Sequence, residues 1–258
     1  MITSTQNQLV KRIRRLGQKK YRSAENSYFV EGLRLVGAAI EAGAEIEALV
    51  WCDTLLVSDF GRNLLTHSPA PTIELSDIVF RTISQRDNPM GLGAIVKTPA
   101  NSDLEKAFAT ASLLVALDSI ADPGNLGTIL RSVDAVGADG VILVGNCVDP
   151  YHPTAIKASM GALFSVPIFN IRSLAEVFDS AEKAHLPIIA TSANADFAYK
   201  ALPIPPRMIL LMGSEKLGLP TSATTRATHS VALPMRGTSS SLNIAVATSI
   251  LLYEYAGN

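Results

Sequence analysis

Apolar residues follow two rhythms along the chain, and the change between them divides it. Near the start, Leu9, Val10, Ile13 and Leu16 recur at helical spacing with cations around them, the pattern of a basic amphipathic helix. From "FVEGLRLVGAAIEAGAEIEALVWC" onward the elements shorten. The spacing predicts a helix over 31–43, a strand at 46–51, a helix at 58–66 and strands at 72–75 and 93–97. That small α/β unit ends at "KTPANSD", 97–103, where Pro, Asn, Ser and Asp cluster as in linkers. Beyond it, apolar runs of strand length alternate with helical segments: 113–117, 140–145, 165–170, 187–192, 208–213 and 231–235. Runs that stay apolar instead of alternating are buried on both faces, so they predict a mostly parallel sheet covered by helices. The expected organisation is a basic arm at 1–24, a small α/β domain at 25–100, a linker at 101–112 and a larger α/β domain at 113–258. Ligands of such sheets lie beyond the carboxyl ends of the strands, which directs attention to the loops after 117, 212 and 233.

Composition narrows the class. With 48% hydrophobic and 17% charged residues among 258, the chain can bury one large or two modest cores, which excludes a disordered protein. The net charge of −1 is unevenly spread. Of the 22 Lys and Arg, seven (Lys11, Arg12, Arg14, Arg15, Lys19, Lys20, Arg22) lie in residues 1–22 without one acid, leaving 15 against all 23 Asp and Glu. Such a helix suits RNA, an anionic membrane surface or plain water, and it has no bulky aromatic anchor on its apolar side before Tyr21. Cys52 and Cys147 stand far apart and outside any CxxC or Cys/His cluster, giving neither a disulfide framework nor a zinc signature. The basic start lacks a following apolar stretch and the longest apolar run is too short for a membrane span, so a reducing cytoplasm is expected.

Candidate chemistry sits in three loops. In "DSIADPGNLGTILRSVDAVGA", 118–138, a strand runs into Asp-Pro-Gly-Asn and then a helix with Leu126, Ile129, Leu130, Val133 and Val136 on one stripe. Asn125 falls near the helix start, where its side chain can cap. Arg131 lies off the stripe, either solvated or facing a cleft. The turn does not fit GxGxxG. In "LMGSEKLGLP", 211–220, Leu219 and Pro220 stand where a triphosphate loop needs Lys and Ser or Thr. Glu215 can accept hydrogen bonds, act as a base or offset Lys216. In "LPMRGTSSSLNIAVATSILLYEY", 233–255, a helix with almost no polar face begins near Ser241, to be buried in the core or against another subunit. Ser241 and Asn243 at its start are caps or donors aimed at a ligand. There is no GxSxG elbow, and His67, His152, His185 and His229 are scattered singly, so no metal site or histidine triad is suggested. Chemistry without metal, thiol or histidine points to a reaction governed by positioning, such as methyl transfer from a sulfonium donor whose leaving group departs neutral.

The same three segments resemble the signature motifs of the SpoU/TrmH branch of SPOUT RNA methyltransferases, which use S-adenosylmethionine to methylate a ribose 2′-hydroxyl. "DPGNLGTILRSVDAVGADGVIL" resembles the first motif, "LLMGSEKLGLP" the second and "LPMRGTSSSLNIAVATSILLYE" the third. The part from "FVEGLRLV" to "NPMGLGAIV" is similar to the ribosomal-protein-like substrate-binding domain often fused to them. The resemblance implies a trefoil-knotted α/β methyltransferase domain with a mostly parallel sheet behind a small α/β RNA-binding domain, working as a homodimer on RNA, with no metal and no DNA. It implies an acceptor in ribosomal RNA of the 23S type; a transfer RNA, or a catalytically idle RNA-binding protein of the same fold, is the alternative. It places the motif arginine on Arg131, which activates the hydroxyl or grips a phosphate; a guanidinium is a poor base, so phosphate positioning or a substrate-assisted route is preferred. Asn125, Glu215, Ser241 and Asn243 match the other polar positions. The adenosyl group is expected against Gly213, Ser214, Leu219, Leu233, Met235 and Leu242, and the seven arm cations against RNA. Two positions depart from the motifs: Ser214 replaces the usual Asn, and Ser240 replaces a Glu, as in some ribosomal-RNA members.

Overall fold

The computed structural model describes residues 1–100, 103–193, 195 and 197–256; positions 101–102 of the expected linker and 257–258 of the expected larger domain lie outside these. Contacts divide the chain into two compact units, Met1–Ala100 with Tyr151–Phe164, and Asn101–Pro150 with Ser165–Asn258.

The first unit begins with α1 (Gln8–Leu16) and α2 (Lys19–Glu25). It continues through β1 (Ser27–Glu31), α3 (Leu33–Glu41), β2 (Ile46–Trp51), α4 (Asp59–His67), β3 (Thr72–Glu74), α5 (Asp77–Ile83) and β4 (Leu92–Lys97). Its sheet runs β1-β4-β2-β3, with β4 antiparallel to β1 and β2 and β3 parallel to β2. The sequence reading missed β1 and began a helix at 31. Gly32, at φ 108°, turns the chain between strand and helix in a conformation that side chains disfavour.

Residues 1–24, expected as a separate arm, are part of this unit's core. Asn7 caps α1, accepting from the Leu9 amide at 2.9 Å. Val10, Ile13 and Leu16 are buried with Val50, Leu75, Val79, Phe80 and Ile95. Three such side chains contribute about 1.5–3 kcal/mol each. An ion-pair network reinforces the seam: Arg12 bonds Glu25 at 2.6 Å and both carboxylate oxygens of Glu47, which Lys97 approaches at 3.3 Å. The hydrogen bonds from Arg12 are the main force pulling the Glu47 carboxyl from 4.5 down to about 2.

In the second unit, α6 (Leu104–Thr110) occupies what was expected to be linker. Asp103 caps it, accepting from the Lys106 amide at 3.0 Å, and Phe108 is buried. Then come β5 (Leu113–Asp118), α7 (Pro123–Val136) and β6 (Gly140–Val144). Residues 151–164, with α8 (Pro153–Ser159), belong to the first unit, where the Tyr151 ring lies 4.6 Å from that of Tyr28. The chain resumes with β7 (Ile168–Ile171), α9 (Leu174–Lys183), β8 (Ile188–Thr191), β9 (Phe197–Ala198), β10 (Met208–Met212), α10 (Thr221–Arg226), β11 (His229–Ala232) and α11 (Ile244–Tyr255).

Among the described residues the sheet order is β7-β6-β5-β10-β8-β11-β9, and every pairing is parallel. β5, β6 and β10 are fully buried along nearly their whole length, as continuous apolar runs require. From β5 the chain winds outward through β6 and β7, then builds the other half of the sheet beginning with β8. The winding reverses between β5 and β10, and a crevice at the carboxyl ends of those neighbours is where such sheets bind ligands.

Candidate active site

α7 follows β5 directly. Asp122, not Asn125, is its cap: the Asp122 carboxylate accepts from the Asn125 amide at 2.7 Å, with Pro123 in the first turn. The Asp-Pro pair was the signal for this, and it leaves the Asn125 side chain for other partners. Leu126, Ile129, Leu130 and Val133 are buried, whereas Arg131 is exposed and makes no hydrogen bond or ion pair with the described residues. The start of β5 is pinned by Asp139, which the sequence reading did not single out; its Oδ2 accepts from the Ser112 and Leu113 amides at 2.8 and 2.9 Å.

The loop after β10 closes on itself. A Cβ on Gly213 would run into the backbone of Gly218 and Leu219, so no side chain fits. The Gly218 amide donates to the Ser214 carbonyl at 2.9 Å, and Ser214 Oγ accepts from the Leu217 amide at 3.2 Å. Glycine is required here for close backbone approach, and the loop's amides are partly spent on the loop itself. Glu215 is exposed at the turn, as is Lys216.

β11 ends at Ala232, earlier than expected, which places Leu233, Pro234 and Met235 in the following loop. Leu233 is half-buried, while Met235, Ser241 and Leu242 are exposed. Asn243 caps α11: its Oδ1 accepts from the Ala245 and Val246 amides at 2.9 and 3.3 Å. Ser241 lies outside the helix and does not cap it. α11 buries Ile244, Ala245, Thr248, Leu251, Leu252 and Tyr255, and Ser132 on α7 meets Ser249 on α11 with hydroxyls 2.7 Å apart.

These loops bring three candidate residues together. Asn125 Nδ2 donates to Glu215 Oε1 at 3.1 Å, and Asn243 Nδ2 donates to Asn125 Oδ1 at 2.9 Å. Arg131 and Ser241 do not join this chain of bonds, and Ser214 is held in its turn. The loops after β10 and β11 also carry Leu219, Leu233, Met235 and Leu242, apolar and at least partly exposed, and the Leu219 backbone lies against Gly213. Cys147 is not a competing nucleophile: burial pushes its thiol up, and Sγ donates to the Val144 carbonyl at 3.2 Å. Among the described residues no group of three or more His, Cys, Asp and Glu could hold a metal.

The seven cations of residues 1–22 divide into two kinds. Arg12 is committed to Glu25 and Glu47, and Arg22, 3% exposed, donates to the Leu16 carbonyl at 2.8 Å. Lys11 is half-buried. Arg14, Arg15, Lys19 and Lys20 are exposed, with Arg15 and Lys20 lying 5.7 and 4.7 Å from the centre of the Tyr21 ring.

Comparison with known proteins assigns both parts of the chain to families. Residues 112–253 match the SpoU rRNA Methylase family and residues 7–94 the MRM3-like substrate binding domain. The chain is 29% identical to the 23S rRNA (guanosine(2553)-2′-O)-methyltransferase RlmP of Bacillus subtilis (strain 168), over 99% of both chains. It is 32% identical to the 23S rRNA (uridine(2479)-2′-O)-methyltransferase of Streptomyces viridochromogenes, over 93% of this chain and 85% of that one. The AdoMet-bound rRNA methyltransferase of Sinorhizobium meliloti superposes with a TM-score of 0.88 at 34% identity, over 98% of this chain and 96% of that one. On its motifs, its fold and these matches, the chain belongs to the SpoU rRNA methylase family.

Proposed function

We propose that this protein transfers a methyl group from S-adenosylmethionine to a ribose 2′-hydroxyl of 23S-type ribosomal RNA. The observation that carries this reading is the meeting of Asn125 at the start of α7, Glu215 in the loop after β10 and Asn243 at the cap of α11, in segments that follow strands of a parallel sheet. Two relatives, matched over 99% and 85% of their length, are by name 23S rRNA 2′-O-methyltransferases, and a third, an rRNA methyltransferase of which 96% is matched, is crystallised with AdoMet. The residues present suit that donor: Leu219, Leu233, Met235 and Leu242 supply apolar surface for an adenine, and Gly213 lets the loop that carries Leu219 close on itself. When bound, the donor supplies an electrophilic methyl group on a sulfonium that leaves neutral.

The chain's own task is then to hold the 2′-oxygen in line with that methyl group. Arg131, exposed and without a partner of its own among the described residues, is assigned to an RNA phosphate beside the target ribose, where a permanently charged fork binds best. Ser241 is assigned to the same face. The acceptor is RNA and not DNA, since the reacting group is the 2′-hydroxyl. Of the basic residues, Lys11, Arg14, Arg15, Lys19 and Lys20 are assigned to RNA phosphates and Arg12 and Arg22 to the fold.

We assign the protein a homodimeric state, supported by Val246, Ile250 and Tyr253, which leave an exposed apolar stripe along α11 at helical spacing. The knotted C-terminal path of the family is assigned to the segment ending in α11, and the cytoplasm is taken as the site of action. The deciding experiment is methyl transfer from labelled S-adenosylmethionine to unmodified ribosomal and transfer RNA. The expected product is label in a ribosomal-RNA dinucleotide that resists alkaline cleavage. Label only in transfer RNA, or donor binding without any transfer, would replace this reading with a tRNA enzyme or an idle RNA-binding protein.

A further inference from the structure

Glu215 was open to three roles, and its geometry selects one. Neither Glu215 nor Lys216 forms an ion pair among the described residues, so offsetting Lys216 is not its role. A carboxylate can only accept, so the Asn125 amide must turn Nδ2 toward Glu215 and Oδ1 toward Asn243. Asn243 must then give its own Nδ2 to Asn125, which leaves its Oδ1 for the Ala245 and Val246 amides. The helix amides, which only donate, hold Asn243 in the same orientation from the other end, so Asn125 is fixed between the acceptor Glu215 and the donor Asn243. Asn243 Oδ1 accepts twice and Asn125 Oδ1 once, and the donors left over are the second N–H of Asn125 and the second N–H of Asn243.

We propose that Glu215 is a positioning residue for methyl transfer: it orients the Asn125 amide beside the cap-held Asn243 so that this corner of the site offers hydrogen-bond donors to an anionic oxygen of a substrate. The proposal rests on the methyltransferase reading of the site. Two substrate groups share the required chemistry, an RNA phosphodiester oxygen and the methionine carboxylate of the donor. Charge-assisted bonds of this kind are stronger than neutral ones, and an acceptor turned outward would repel either group. An Asn125 amide free to flip would present its oxygen to the anion in one of its two orientations.

A set of four proteins tests this: wild type, Glu215→Gln, Asn243→Asp and the double variant. Aspartate caps a helix as well as asparagine does, so Asn243→Asp keeps the cap but sets acceptors on both sides of Asn125. Its melting midpoint should fall by about 2–4 °C, the shift one lost hydrogen bond gives in a protein of this size. Adding Glu215→Gln supplies a donor, lets Asn125 turn over and reverses the whole chain, so the double variant should recover the midpoint without recovering activity. Additive midpoints for the two substitutions would overturn the proposal, and this readout is independent of whether the protein methylates any RNA.

The kinetics give the second arm. Glu215→Gln should lose less than about tenfold in kcat/KM, carried by KM, with an unchanged pH profile. A fall in kcat of a hundredfold or more together with loss of the acid limb would make Glu215 a general base and overturn the proposal. For Asn243→Asp, a KM for RNA raised about tenfold with unchanged S-adenosylmethionine affinity by calorimetry identifies the phosphodiester as the bound group. Weakened donor affinity instead identifies the carboxylate, and no change in either overturns the donor corner.

Discussion

Arg131 and Gly213 illustrate what single positions do here, one through chemistry and the other through space. Arg131 is exposed and unpartnered among the described residues, so Arg131→Ala should leave the melting midpoint unchanged while kcat falls by about two orders of magnitude or more, as for loss of one charge-stabilising donor. Single-turnover methyl transfer beside a thermal melt checks both halves. Gly213→Ala should do the reverse of sparing the fold: its Cβ meets the Gly218 and Leu219 backbone, which cannot give way. A lowered midpoint and lost S-adenosylmethionine binding by calorimetry are expected. The identities of Asn125, Glu215 and Asn243 were legible in the sequence because each sits where a strand hands over to a loop or helix. Their mutual bonds were not, since pairing across so much intervening chain follows from strand order and not from local spacing. The same limit applies to Arg12 and Arg22, identical in type to exposed neighbours and set apart by the acids that folding brings to Arg12 and by the burial of Arg22.

Among the elements, α1 is the one whose role differs most from its pattern. Its apolar stripe was visible, but periodicity does not say what a stripe packs against, and here it completes a core. α6 was hidden for a related reason: a short helix inside a polar, proline-marked stretch reads as linker until Phe108 is seen to be buried. The Arg12–Glu47 bond ties α1 to β2 and makes the seam acid-sensitive. Because folding lowers the Glu47 value, its contribution is complete above the ordinary 4.5 and is lost as pH falls toward about 2. Urea midpoints of wild type and Glu47→Gln should therefore differ most near neutrality and converge in acid. The exposed face of α2 is predicted to act on RNA instead. Lys19→Ala with Lys20→Ala should reduce the salt slope of RNA binding by about two, one per phosphate contact, with the melting midpoint unmoved. A filter-binding series across salt concentrations reads this directly.

For the whole molecule, the fold class and the parallel sheet were legible because runs such as "LLVAL" and "MILLM" are apolar throughout. Strand order was not, because nothing local records that β10 lies beside β5. Assembly is predicted from α11: Val246, 48% exposed, belongs to its apolar stripe, and Val246→Asp should convert a dimer to a monomer by light scattering while the fold persists. The allocation of residues 151–164 to the first unit has a consequence for how the protein is made. A nascent chain leaves the ribosome from its N-terminus, and domains generally form as they emerge. The first unit cannot do so here. When residue 100 is out, α8 and Tyr151 are still to be translated, and β5, α7 and β6 of the other unit appear before them. The substrate-binding unit thus finishes folding only after the methyltransferase unit has begun, which makes a stall before residue 164 a point at which both units are incomplete at once.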